Sequence, residues 1–207
     1  MDREEGSGGS LRRRKQRRAR DAIIEAALTL FAERGFERVT VTDIAERAEV
    51  GRATFFRYFG DKQEVVFADE GEPGAFLGEV EQIPAEGPIG GSMPRHWSSV
   101  RAVVFSYVAQ LTAEPDAYER HERLVASHPE LTARSIAKQR RYADVLKDLL
   151  TSRGADRETA AVAAEAGLAA FYAGRTIAGA APERLPQAVE TAFDRLTCGP
   201  DTSEPGG

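Results

Sequence analysis

The sequence predicts an all-α protein, with an N-terminal three-helix helix-turn-helix domain followed by a larger helical domain. Apolar residues recur at three-to-four spacing in almost every segment long enough to show a period. No convincing strand pattern interrupts them. Between Thr40 and Lys62 (TVTDIAERAEVGRATFFRYFGDK), two short helical periods meet at Val50 and Gly51, the layout of two helices about a turn.

The order of elements follows from local signals. Residues 1–15 read as a disordered tail that turns basic as it enters the run Leu11–Arg20 (LRRRKQRRAR). That run sits beside the helix-turn-helix, so a role in neutralising phosphates is favoured over a solvated tail. Asp21–Arg34 is predicted as a helix whose stripe contains Ile23, Ala27, Leu30, Ile24, Leu28 and Phe31. Gly35 reads as its left-handed cap, with Phe36 folding back over the core. Thr40 and Asp43 form a capping-box pair before a helix that buries Ile44, Ala45 and Ala48. Arg52–Tyr58 is predicted as the second helix, with Phe55 and Phe59 inward and Ala53 and Arg57 on the opposite side. At 1.5 Å per residue it is roughly 10 Å long, which suits a major groove about 12 Å wide. Asp61, with Glu64 three residues on, restarts a helix through Val65, Val66 and Phe67, and the domain is expected over residues 16–66.

The second domain is expected over residues 67–198. Punctuating glycines and prolines make Glu70–Pro94 mostly loop, with a possible turn of helix near Ala75–Gln82. Further helices are expected over His96–Ala113, which Pro115 ends, and Tyr118–Ser127, which the turn at His128–Glu130 stops. Leu131–Arg153 follows, capped by Gly154, then Arg157–Ala180 and Leu185–Leu196. Residues 199–207 read as a disordered tail.

Composition narrows the function. The formal net charge is −5, yet Leu11–Lys62 holds 13 basic against 8 acidic residues, and Gln63 onward 14 against 22. A basic head on an acidic body points to an anionic partner at one end. The single cysteine, Cys198, allows no intrachain disulfide and fits a reducing compartment. No secretory leader or membrane span is expected, since Glu165 and Arg175 break the most apolar stretch, so a cytoplasmic protein is expected. His96, His121 and His128 lack metal-site spacing, and no phosphate-binding or nucleophile-elbow motif is present. Neither catalytic residues, nor a metal, nor a cofactor is therefore expected.

The run Arg20–Val66 resembles the DNA-binding domain of TetR-type (tetracycline-repressor-like) transcriptional regulators. Its apolar first helix, the RGF corner at Arg34–Phe36, TV-x-x-IA, TFFRYF and the following Asp61–Lys62 are all in register. Two positions depart from the family pattern: Glu49 stands where many relatives have Gly at the bend, and Phe56 where the family has Tyr. The resemblance implies a homodimeric, ligand-responsive repressor that binds a palindromic double-stranded DNA operator. Its second domain would bind a small-molecule effector and dimerise.

Arg52, Thr54, Tyr58, Lys62 and Thr42 are the candidate DNA-facing residues. Arg52 suits a guanine edge or a phosphate equally, and Lys62 is most simply a phosphate contact. Val41 and Ala53 match family contact positions but offer only apolar contact. Phe56 suits the groove or packing equally.

The last two helices are the expected dimer seam. Ala160, Ala161, Ala163, Ala164, Ala166, Gly167, Ala169, Ala170, Ala173 and Gly174 make more than one face small, whereas internal packing needs one. An effector pocket is implied among Trp97, Phe105, Tyr107, Tyr118, His121, Tyr142, Phe171, Tyr172 and Arg175, each of which a plain helical core would also explain. Arg175 invites either an anionic partner or a buried ion pair. The rival readings are a small-molecule enzyme carrying a DNA-binding head, which the missing catalytic constellation disfavours, and a ligand-blind regulator.

Overall fold

A computed structural model describes residues 5–68 and 93–197, with side chains over 14–68 and 96–196. Every regular element among them is helical. The chain divides into two compact units, Met1–Glu70 and Gly71–Gly207.

In the first unit, α1 spans Glu5–Arg34, a 3-10 turn Phe36–Arg38, α2 Val41–Arg47, α3 Arg52–Tyr58 and α4 Lys62–Val66. Helix α1 starts well before the expected Asp21, so residues 5–15 are helix rather than disordered tail. Arg, Lys, Gln, Leu and Ala are good helix formers, and nothing in Leu11–Arg20 stops the helix. Ile23, Ile24, Ala26, Ala27, Leu30 and Phe31 are buried, whereas Leu28, placed in the stripe by spacing, is exposed. The unit ends beyond the expected Val66, because Phe67 and Ala68 are also buried. The Ala68 carbonyl accepts a hydrogen bond from the Arg20 guanidinium at 2.8 Å.

Each helix start has a visible cause. At α2 the capping box forms as expected: the Asp43 amide donates to the Thr40 hydroxyl at 3.2 Å, and the Thr40 amide donates to Asp43 Oδ2 at 2.8 Å. The Thr40 hydroxyl also donates to Asp43 Oδ2, and this bond, with that from the Thr40 amide, holds the Asp43 carboxyl below its ordinary range. At α4 the Asp61 carboxylate accepts from the Glu64 amide at 2.8 Å.

The bend between α2 and α3 is a Schellman motif. The Val50 amide donates to the Ala45 carbonyl and the Glu49 amide to the Glu46 carbonyl. That closure forces Glu49 to φ 53°, the left-handed region where glycine is preferred. Gly154 occupies the equivalent place after the long helix of the second unit, at φ 93°, with the same pair of bonds. Gly35 also has positive φ, 80°, but its ψ of 146° is the glycine-only extended region rather than the left-handed helical cap expected.

The second unit comprises α5 Met93–Leu111, α6 Pro115–Ala126, α7 Pro129–Ser152, α8 Arg157–Ala178, a 3-10 turn Pro182–Arg184 and α9 Leu185–Thr197. Pro115 and Pro129, read from sequence as terminators, are the first residues of α6 and α7. Proline suits that position because its missing N–H would have no intrahelical partner there. Helix α8 runs through the core against α5, α7 and α9. A Cβ at Gly167 would lie 2.0 Å from Val100 Cγ1, and one at Gly174 would lie 2.7 Å from the Cα of Val189. Glycine at these points lets α5 and α9 approach the α8 backbone. Ile136 of α7 and Leu196 of α9 are exposed. The loop expected near Glu70–Pro94 lies largely outside the described residues, as do the C-terminal tail and Cys198.

Candidate nucleic-acid interface

Phe55 and Phe59 are buried and anchor α3, their rings 5.8 Å apart. Burying that side turns Arg52, Ala53, Phe56 and Arg57 outward. Phe56 is 49% exposed, its ring edge-on to Phe55 at 5.5 Å, which gives the outward face a rigid apolar knob. Arg57 lies over the Tyr58 ring at 5.1 Å. On α2, Thr42 is exposed and Val41 half-buried. Thr42, Arg52, Ala53 and Phe56 are thus all exposed, and so is Arg57, which its position opposite Phe55 and Phe59 already signalled.

Three expected DNA-facing residues fare differently. Thr54 is half-buried. Tyr58 is half-buried too, and its hydroxyl is shielded from solvent, without a hydrogen-bond partner among the described residues. The Lys62 ammonium, expected at a phosphate, turns inward instead and donates to the Phe36 and Val39 carbonyls at 2.8 and 3.1 Å. Other cations of the head are also occupied within it. Arg47 pairs with both Glu33 oxygens at 3.1 Å, and Arg38 donates to the Arg34 carbonyl at 2.6 Å. Along α1, by contrast, Arg14, Lys15, Arg17 and Arg18 are exposed.

The aromatic residues expected around an effector separate into two groups. Trp97 and Phe105 of α5 pack on Phe193 of α9, at 5.0 and 6.1 Å. Tyr107 meets Tyr142 and Phe171 at 6.0 and 5.6 Å, and Phe171 meets Tyr172 at 5.1 Å, a second series across α5, α7 and α8. Arg175 resolves the alternative left by the sequence: its guanidinium pairs with Glu122 of α6, the two side chains 12% and 15% exposed. It also lies over Phe171 at 5.6 Å. His121 Nε2 is 4.0 Å from Glu122. Burial, reinforced by the Glu122 charge, pushes the Tyr118 phenol up to about 12. A surface recess of about 500 Å³ between α6 and the turn after α8 is lined by Asp116, Glu119, Arg123 and Glu183, and by none of these candidates.

Two faces of small residues divide α8. Ala160, Ala163, Ala164, Gly167, Ala170 and Gly174 are buried inside the unit. Ala169 and Ala173 are exposed, Ala161 and Ala166 half-exposed, and Val162 and Ile177 stand 57% and 52% exposed on the outer side. On α9 the outward residues are mainly polar: Gln187, Asp194 and Arg195. Among the described residues, no group of acidic, histidine or cysteine side chains is placed to hold a metal ion, and no helix is long and apolar enough to cross a membrane.

A helix-turn-helix whose second helix turns two arginines and an aromatic outward is suited to reading DNA. Residues 23–68 match the family profile described as bacterial regulatory proteins, tetR family. The transcriptional regulator TcmR of Streptomyces glaucescens is 46% identical over 89 residues, 40% of this chain and 38% of that protein. MftR of Mycobacterium tuberculosis is 27% identical over 138 residues, 66% of each chain. The matches thus span between about a third and two thirds of these relatives' lengths. Thermus thermophilus FadR, a TetR-family repressor solved with lauroyl-CoA, has a similar fold: TM-score 0.53, 23% identity, covering 91% of this chain and 100% of that one. SmeT, solved with triclosan, gives 0.55 and 21%, covering 91% and 99%. Residues 23–68 are thus similar to the tetR family of bacterial regulatory proteins.

Proposed function

We propose that the chain is a cytoplasmic transcriptional repressor, without enzymatic activity, that binds a palindromic operator as a homodimer and releases it when a small molecule occupies the second unit. The observation that carries this reading is the outward face of α3, with Arg52, Ala53, Phe56 and Arg57 exposed in a tetR-type head. Arginine can bond a guanine edge bidentately or hold a phosphate, while Ala53 and Phe56 suit thymine methyl groups.

The outer stripe of α8 supports the homodimer. The inner small face is consumed by α5, α7 and α9, and a second face of Val162, Ala166, Ala169, Ala173 and Ile177 is left outward. A two-fold pair would place its heads on half-sites about 34–36 Å apart, one helical turn, or a multiple of that.

Similarity to proteins solved with lauroyl-CoA and with triclosan supports an effector of small-molecule size. The series Tyr107, Tyr142, Phe171 and Tyr172 is the apolar lining it would use, and the ring contacts mean it must part those side chains to enter. A coupling of about 1–3 kcal/mol between effector and operator weakens DNA binding about 5–150-fold. Footprinting the purified protein on DNA flanking its own gene tests the reading. A protected palindrome is expected, and uniform cleavage at every concentration would refute it.

A further inference from the structure

Two cations that the sequence groups with the DNA-contacting charges are directed into the head. Lys62 is the first residue of α4, and its ammonium has three protons to donate. The Phe36 and Val39 carbonyls accept at 2.8 and 3.1 Å, the Glu37 carbonyl lies at 3.4 Å, and the Phe36 ring centroid is 4.3 Å away. These carbonyls belong to the 3-10 turn between α1 and α2 and the residue after it, and the Phe36 carbonyl also accepts from the Val39 amide at 3.3 Å. At the other end of α4, the Arg20 guanidinium bonds the Ala68 carbonyl at 2.8 Å and lies 5.6 Å from the Phe59 ring centroid. A phosphate taking Lys62 would have to break two charge-assisted hydrogen bonds and a cation–π contact, each stronger when partly buried.

We propose that Lys62 and Arg20 are positioning residues of the DNA-reading head and that neither neutralises a phosphate. Lys62 ties the start of α4 to the turn before α2, and Arg20 ties the chain just past α4 to α1. Only Phe59, Gly60 and Asp61 separate α3 from α4, so pinning α4 fixes where α3 ends and how its outward face is presented. The consequence for DNA rests on the function proposed above, but the two clamps exist in the free protein.

The test is the salt dependence of affinity for a short duplex, for the full chain and its Lys62→Met and Arg20→Met variants. Measurements are made at a temperature where circular dichroism shows each variant folded. Weaker binding with an unchanged log–log salt slope is expected for each. A slope shallower by about 0.9 would reveal that the replaced cation had neutralised a phosphate, and would overturn the proposal. Unchanged affinity in a folded variant would reduce the clamp to a brace for stability and also overturn it.

Lysine acetylation of the unaltered protein, read by mass spectrometry, covers a variant that fails to fold. Lys62 is expected to label more slowly than exposed Lys15, with and without duplex. Labelling of Lys62 as fast as Lys15 in the free protein would overturn the clamp. Should the unaltered protein bind no duplex at all, the proposed function fails, and the labelling still decides the clamp.

Discussion

Glu49 is the residue whose place in the fold and whose identity disagree. A side chain in the left-handed region costs about 1–2 kcal/mol relative to glycine. Part of that is offset because glycine loses more chain entropy on folding. Glu49→Gly is therefore expected to raise stability by about 1 kcal/mol in urea denaturation, leaving the motif's hydrogen bonds intact. Asp43 makes a pH-dependent contribution. Its folded pKa lies below the ordinary 3.8, so its stabilisation is present above that value and is lost as pH falls through the lowered one. The stability difference between the natural protein and Asp43→Asn is expected to be widest above pH 3.8 and to shrink below it. Tyr118 works in the opposite range: its contribution holds below 10.0 and is lost as pH rises towards 12, which a Tyr118→Phe comparison in alkaline denaturation would reveal. Thr40 and Asp43 were legible in the sequence because a capping box is a local pattern. Lys62 was not, because its partners lie 23 and 26 residues away and a lysine beside a DNA-reading helix looks the same whichever way it points.

At the scale of the element, periodicity served the helices well and failed at their edges. The burial of Phe55 and Phe59 followed from spacing, and with it the outward face of α3. Pro115 and Pro129 were misplaced because proline both follows one helix and opens the next, and only the backbone shows which. The aromatic candidates were correctly placed on α5 to α8, but spacing within a helix says nothing of which neighbouring helix a ring meets. Trp97 and Phe105 therefore proved to pack on Phe193. The packing of α8 on α9 is set by Gly174, where a Cβ would fall 2.7 to 2.8 Å from the Val189 backbone. Gly174→Ala is expected to lower the unfolding free energy of the chain by about 1–3 kcal/mol, the usual range for overpacking, as read by thermal or urea denaturation.

For the whole molecule, two features bear on assembly and partner: a basic head, and an apolar stripe on the outer side of α8. The asymmetry of charge was legible from composition. The second small face was legible from the number of alanines, since one helix needs only one such face for its own core. Which alanines belong to which face required the structure, where Ala163 and Ala170 point inward and Ala169 and Ala173 outward. A glutamate at Ala169 together with one at Ala173 would bury like charges in a two-fold seam. If the proposed homodimer forms through this stripe, the natural protein is expected to sediment as a pair and the Ala169→Glu, Ala173→Glu protein as a folded single chain.

The outward face of α3 is tested most directly by replacing Arg52 and Arg57 together with alanine and titrating duplex affinity against salt. Both side chains are solvent-exposed, so the fold should survive their removal. Weaker binding is expected, with a log–log slope shallower by about 0.9 for each phosphate that is no longer neutralised. Affinity and slope both equal to those of the natural protein would mean that DNA is read elsewhere, or not at all.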